Sequence, residues 1–322
     1  MAKKGGVNQS PLFWPVELKG NTIYILDETL LPQKIQYIKA KTYLECCRAI
    51  RQMKTRAVGQ VSIVYYMFLL ELKKNKSASK ADLLKRFKKI SQAIESSRPT
   101  FPFYVFTGMI QGWLAKAEGA IIQQLEARIN GFLQYLKKSR LARAERVAAL
   151  LKNKNRILTH CNISGELVAI AQACKKRNNR VEFFATETRP YLQGSRLTAW
   201  ELRESGFKVT VVSDSSVASL FSKGMVDAVV VGSDRSTSDK AVINKVGTYQ
   251  IASLAKAFNI PFYALIQPAS ANTHSKDVVI EQRPDEELVS FNNKRLAPEG
   301  TKAYYPAFDI TPNELVTKQI AL

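Results

Sequence analysis

Residues 157–165 read ILTHCNISG, and residues 229–236 read VVVGSDRS, with VINKVGTYQ following at 242–250. The first two stretches each open as an apolar β-type run and break abruptly into polar groups. That pattern puts Cys161 and Asp234 at the C-terminal edge of one parallel sheet, where open α/β sheets receive ligands. Between them, TETRPYLQGSRLTAWEL at 186–202 reads as a third loop on the same edge, leading into a helix. A thiol, a carboxylate and an amide are thus expected to share one pocket while lying far apart in the chain.

From Asn153 onward, short apolar runs alternate with helical segments: ILTH, VEFFAT, VTVVS, DAVVVG and FYALI. Such strands separated by helices predict a parallel sheet covered on both faces. The first half is mainly helical in pattern after a short β-type opening around Thr22 to Leu26. Ile121, Leu125, Ile129, Phe132, Leu133 and Leu136 recur at helical spacing, opposite Gln123, Glu126, Arg128 and Lys137. They predict an amphipathic helix, with a break expected near Ser139. The run VSIVYYMFLLEL at 61–72 is too short to span a bilayer and predicts a buried helix. The fold class is therefore α/β: a Rossmann-like parallel-sheet catalytic domain at residues 153–322, preceded by a mainly helical N-terminal domain at residues 1–152.

A chain of 322 residues with 46% hydrophobic residues is globular in composition. Its opening, MAKKGG, leads into polar residues rather than an apolar segment, so no signal peptide is read and no membrane partner is expected. Lys and Arg total 48 against 27 Asp and Glu, a net charge of +21 that attracts anions. The basic clusters at Lys73, Lys74 and Lys76, at 85–89, at 137–146 and at 175–180 read as solvated helix faces and loops. Nucleic-acid binding is disfavoured because the clusters carry no recognition motif or aromatic stacking module. Cys46, Cys47, Cys161 and Cys174, with only His160 and His274, form no metal-ligand pattern. A reducing cytoplasmic compartment without a metal or other cofactor is expected.

A thiol serves proton transfer only where its surroundings tune its ionisation from a reference pKa of about 8.5. Cys161 precedes a turn and helix whose backbone N–H groups can stabilise negative charge; the alternative is a buried packing thiol. Asp234 would be costly inside the sheet but useful at its mouth, or it caps a turn. Asn244 and Lys245 precede a helix start, where their side chains and the helix amides can hold an oxyanion, or they form an ordinary cap with a solvated lysine.

These stretches resemble the sugar-1-phosphate aldose–ketose isomerases related to the regulatory subunits of translation initiation factor 2B, and within that family the methylthioribose-1-phosphate group. The resemblance extends to IYILDETLLPQKIQYI at 23–38, RPTFPFYVF at 98–106 and YYPAFDITPNELVT at 304–317. It implies isomerisation of a pentose 1-phosphate without a cofactor, and a homodimer. Cys161 and Asp234 would be the acid–base pair, Gln193 would orient sugar hydroxyls, and Arg56, Arg98, Asn244 and Lys245 would bind phosphate or sugar. Proton transfer and hydride transfer both remain open.

The sequence departs from the family's pattern in three places. Arg56-Ala57-Val58-Gly59 stands where relatives carry Arg-Gly-Ala-Pro; Ala57 is expected to exclude some positive-φ conformations, and Val58 adds bulk. Asp239 and Lys240 stand where the methylthioribose enzymes show Asn-Gly. The compact NISGELVAIAQACKKRNNRVEFFAT after Cys161 is more like the ribose-1,5-bisphosphate isomerases. The alternatives are therefore that isomerase or a noncatalytic ligand-sensing or protein-binding subunit.

Overall fold

The structure is a computed structural model that describes residues 9–99, 101–267 and 273–322. The chain divides into two compact units, Pro11–Ser139 and Arg140–Leu322, the second also including Gln9 and Ser10.

The first unit opens with a three-stranded antiparallel sheet, β1 (Val16–Lys19), β2 (Thr22–Leu26) and β3 (Tyr37–Ala40), so the expected β opening is one strand of a larger meander. Helix α1 (Tyr43–Arg51) begins in a capping box: the Thr42 side chain accepts from Glu45 N–H, and the Glu45 carboxylate reaches back to the Thr42 amide. Helix α2 (Ala57–Lys74) contains the apolar 61–72 run, and its buried residues include Ile63, Val64, Tyr65, Met67, Phe68 and Leu72. A helix this apolar all round belongs at the centre of a core. Helices α3 (Lys80–Ser97) and α4 (Phe103–Lys116) add Phe87, Ile94, Phe103 and Ile110 to the same cluster.

Helix α5 runs without interruption from Ile121 to Leu150, so the break expected near Ser139 does not occur. Serine is only a mediocre helix former, not a breaker, and no Pro follows it. Residues 121–139 of α5 belong to the first unit, where Leu125, Ile129 and Leu133 are buried.

The second unit continues with β4 (Arg156–Thr159), α6 (Glu166–Lys176), β5 (Glu182–Thr186), α7 (Ala199–Glu204), β6 (Val209–Val212), α8 (Val217–Ser222) and β7 (Ala228–Val231). After them come β8 (Arg235–Ser236), β9 (Val242–Lys245), α9 (Thr248–Ala257), β10 (Phe262–Leu265), α10 (Glu286–Val289), β11 (Ser290–Phe291), β12 (Lys294–Arg295), β13 (Phe308–Thr311) and β14 (Lys318–Ile320). Six strands form one parallel sheet in the order β14-β10-β7-β4-β5-β6. All four residues of β7 and all four of β10 are buried, as expected of strands covered on both faces.

The chain lays β4, β5 and β6 outward in one direction, then returns to place β7 on the other side of β4. The switch in strand order therefore lies between β4 and β7, the position where open α/β sheets bind ligands beyond the strand ends. Beyond that edge, β13, β9 and β8 make a small antiparallel sheet, and β11 pairs with β12 as a hairpin.

Candidate active site

Cys161 follows β4 and Asp234 follows β7, the two strands flanking the switch. The ladder pairs Ile157 with Ala228 and Leu158 with Val229. Continued upward, that register sets Cys161 level with Gly232, two positions before Asp234. Both peptide groups of Cys161 are held: its N–H donates to Thr188 Oγ1 at 3.0 Å, and its carbonyl accepts from Thr198 Oγ1 at 2.6 Å. These bonds secure a residue at φ 63°, a left-handed conformation uncommon for a side-chain-bearing residue. Thr188 is itself at φ 65°, a true outlier for a β-branched residue. It is fixed by its hydroxyl bond to Thr186 O and by Asp214 Oδ1, which accepts its N–H at 2.8 Å. The helix α6 starts at Glu166 behind a Gly165 cap, so Cys161 lies ahead of the helix rather than on its first turn. On the facing side, Asp234 N–H donates to Ile243 O at 2.9 Å, which ties the Asp234 loop to β9. The Arg235 guanidinium lies 3.6 Å from the Asp234 carboxylate.

Lys245 ends β9 in a box of three rings, its Nζ 5.0 Å from the Phe308 centroid and 5.7 Å from those of Tyr191 and Tyr305. All three are within cation–π range. Burial lowers the Lys245 pKa, while Cys161 and Asp234 act in the opposite direction, so this cation senses both acid–base candidates. Asn244 is its neighbour in the strand and therefore faces the other way. Its Nδ2 donates to Thr248 Oγ1 at 3.0 Å, on the side of α9. The amides at the start of α9, expected to be available for an oxyanion, are occupied: Asp309 Oδ2 accepts from Gly247 N–H at 2.7 Å and Tyr249 N–H at 3.0 Å. Asp309 lies 62 positions from Gly247, so no local pattern announces this cap.

Gln193 lies on the loop between β5 and α7, and its buried Oε1 has no hydrogen-bond partner among the described residues. The glycine after it is required sterically. A Cβ on Gly194 would stand 1.7 Å from Thr186 O. The Arg189 guanidinium donates to Leu288 O at 3.2 Å and lies 5.4 Å from the Phe291 ring. Asp239 caps the turn at Ser275, accepting its N–H at 3.0 Å and its hydroxyl at 2.5 Å.

Arg56 and Arg98 belong to the first unit and are linked there around the start of α2. Arg56 precedes the helix without a side-chain cap, and its Nε meets Glu28 Oε2 at 2.7 Å. Arg98 donates to Gln60 Oε1 at 3.0 Å, and Gln60 donates in turn to Thr55 O at 2.9 Å. Ala57, Val58 and Gly59 form the first turn of α2. That backbone is right-handed, so the expected positive-φ objection to Ala57 does not apply; Ala is preferred over Gly there by roughly 1 kcal/mol.

The initiation factor 2 subunit family model matches residues 54–321. The chain belongs to the initiation factor 2 subunit family. Among its relatives, the methylthioribose-1-phosphate isomerase of Thermotoga neapolitana is 34% identical over 94% of this chain and 91% of its own length. That of Desulforudis audaxviator is 32% identical over 96% and 92%. The solved 5-methylthioribose 1-phosphate isomerase of Pyrococcus horikoshii matches at TM-score 0.85 with 27% identity, covering 98% of this chain and 94% of that one. Translation initiation factor eIF-2B subunit delta from A. fulgidus matches at TM-score 0.82 with 33% identity, covering 95% and 94%. Likeness to this family thus spans proteins named as enzymes and a protein named as a factor subunit. The side chains at the sheet edge must separate the two.

In this family member those side chains rest on buried charges that sequence reading missed. Arg140 and Arg143, within the basic 137–146 cluster expected to be solvated, are each 1% exposed. Both grip Glu166: Arg140 Nε at 2.6 Å, and Arg143 through Nε at 2.9 Å and Nη2 at 2.6 Å. Arg140 also donates to Ser164 O at 2.6 Å, inside the loop that carries Cys161. Glu201, 1% exposed, accepts from Asn162 Nδ2 at 2.7 Å, and Asn162 follows Cys161 directly. Burial pushes the Glu166 carboxyl up, but the two guanidiniums outweigh it and hold its pKa below the usual carboxylate value. The one available signal was the pair of arginines three apart on a helix.

Proposed function

We propose that the protein is an aldose–ketose isomerase that converts 5-methylthioribose 1-phosphate to 5-methylthioribulose 1-phosphate in methionine salvage. The observation that carries this reading is the placement of Cys161 and Asp234 on either side of the sheet's switch point, with the buried cation of Lys245 influenced by both. A ligand-sensing subunit requires an anion site but no acid–base pair.

A phosphate on C1 keeps the sugar ring closed, so the ring C–O bond must be cleaved first. The Asp234 carboxyl donates its proton to the ring oxygen as that bond breaks. The Cys161 thiolate takes the proton from C2 and returns it to C1 through an enediol-like intermediate. Loss of the 2-hydroxyl proton to Asp234 restores the acid and leaves the ketone at C2. Oxidation at C2 balances reduction at C1, and no external redox partner takes part. Lys245 holds the anionic substrate, and the buried Gln193 acceptor orients a sugar hydroxyl. Residues 153–322 are the catalytic domain, and the protein acts as a cytoplasmic homodimer.

Incubating the protein separately with methylthioribose 1-phosphate and ribose 1,5-bisphosphate, with ketose formation followed by NMR, tests the reading. Conversion of the first, reduced at least about a hundredfold in Cys161→Ser, is expected. Preferred conversion of the bisphosphate would reassign the substrate, and no conversion of either by folded protein would refute the isomerase reading.

A further inference from the structure

The peptide unit that joins Val246 to Gly247 is held at both of its polar ends. His160 Nε2 lies 2.9 Å from Val246 O, and His160 Nδ1 lies 2.6 Å from Thr186 Oγ1. A carbonyl only accepts, so Nε2 carries the hydrogen, and Nδ1 is left to accept from the Thr186 hydroxyl. The ring is 2% exposed, and its burial lowers its pKa, in keeping with a neutral imidazole. On the other side of the same peptide unit, Asp309 accepts the Gly247 N–H at 2.7 Å. The ring also bears on Gly247 itself: a Cβ there would lie 3.1 Å from His160 Cε1 and 3.2 Å from Nε2. Gly247 is at φ 104°, a conformation that favours glycine. Rotating this peptide unit would break both bonds at once, and the residue immediately before it is Lys245.

We infer that His160 and Asp309 are positioning residues that clamp the 246–247 peptide and thereby hold Lys245 in place beside Cys161 and Asp234. His160 reaches that peptide from the residue adjoining Cys161, so a single ring fixes the spacing between the thiol's loop and the lysine's. Thr186 extends the tie to the third loop, where Thr188 accepts the Cys161 N–H. The functional part of this inference rests on the isomerase reading; the clamp itself does not.

Four variants test it: His160→Asn, too short to reach Val246, His160→Gln, which keeps a donor at about the Nε2 distance, Asp309→Ala, and the Asn/Ala double variant. Two readouts are taken, kcat/KM on methylthioribose 1-phosphate and amide hydrogen exchange at Gly247 and Tyr249. Each disruptive single variant is expected to lose about tenfold or more in kcat/KM while remaining folded, as small misplacements of reacting groups do. Because both residues act on one peptide, the double variant should fall no more than about twofold below the worse single. His160→Gln should recover most of the activity, and exchange at Gly247 should quicken about tenfold in Asp309→Ala.

Losses that multiply in the double variant, a Gln variant as impaired as Asn, or singles within twofold of the parent would overturn the positioning role. Unchanged exchange at Gly247 would overturn the clamp, and that arm reads out even if the parent protein turns over neither sugar phosphate. Isotope-labelled histidine gives a further check, because the chain has only 2 histidines. The His160 signal should show the Nε2–H tautomer, and the opposite tautomer would also overturn the clamp.

Discussion

Replacing Glu166 by Gln would leave Arg140 and Arg143 buried with their shared anion removed. In the parent protein the carboxylate receives three charge-assisted bonds of 2.6 to 2.9 Å, between side chains no more than 2% exposed. Glu201 remains as a counter-charge that favours the protonated Arg140, so four buried charges that balance become three that do not. Removing one partner of a buried ion pair costs about 3–5 kcal/mol, because the remaining charge is stranded away from water. For a unit of this size that corresponds to a fall in Tm of roughly 6–20 °C. The loss should be specific to the second unit. Of the chain's 3 tryptophans, Trp14 and Trp113 belong to the first unit and Trp200 to the second, so urea unfolding followed by Trp200 fluorescence in a Trp14→Phe, Trp113→Phe background isolates it. The pH dependence supplies a second check. Glu166 has a folded pKa below its usual value of 4.5, so its stabilisation is complete above that value and is lost as pH falls through the folded pKa. The deficit of Glu166→Gln should be full at neutral pH and shrink in acid. A destabilisation below about 1 kcal/mol at neutral pH would refute the argument, as would a deficit that does not change with pH.

Gly194→Ala should destabilise the second unit by about 3 kcal/mol or more, since its Cβ would meet the Thr186 carbonyl, a backbone atom that cannot rotate aside; thermal unfolding within a degree or two of the parent would show that the loop shifts freely. Burial pushes the Asp309 carboxyl from 3.8 up to about 6 despite its bonds to the α9 amides. With the folded pKa above the unfolded one, stability of the parent relative to Asp309→Asn should fall by about 3 kcal/mol as pH rises through this window; a flat difference would refute it. Running the isomerisation in deuterium oxide should place solvent deuterium on C1 of a fraction of the ketose, as the Cys161 thiol exchanges with water before it returns the proton, whereas complete retention of the original hydrogen would indicate a hydride shift.

Five of the six parallel strands were legible because strands buried in a parallel sheet write themselves as continuous apolar runs, as β7 does with AVVV; the edge strand β14, KQI, carries no such run. The placement of Cys161 and Asp234 at the sheet's C-terminal edge was legible because polarity begins where each run ends. What could not be read depends on partners far away in the chain. A basic stretch signals solvation unless an acid meets it, and Glu166, which buries Arg140, lies 26 positions later. The unbroken helix at Ser139 has a local cause instead: a single serine with no proline after it does not stop a helix. Asn244 and Lys245 looked like one binding pair in sequence, yet strand geometry turns neighbours to opposite faces. The glycine replaced by Ala57 looked necessary only while its backbone was unknown, and a helical first turn accepts alanine.

The members of this family divide, by name, between isomerases and initiation-factor subunits, so similarity along the chain does not assign the chemistry. What this chain retains beyond the fold is costly to hold. A lysine is buried among three rings, a cysteine and a threonine sit at left-handed φ, and two arginines are removed from water to secure the loop beside the cysteine. The left-handed residues carry backbone strain, and a buried charge cluster taken as a whole is commonly no more stabilising than apolar residues filling the same volume. A subunit that only docked or sensed has no chemical need to keep them. Their joint presence around Cys161 and Asp234 favours a site kept for proton transfer.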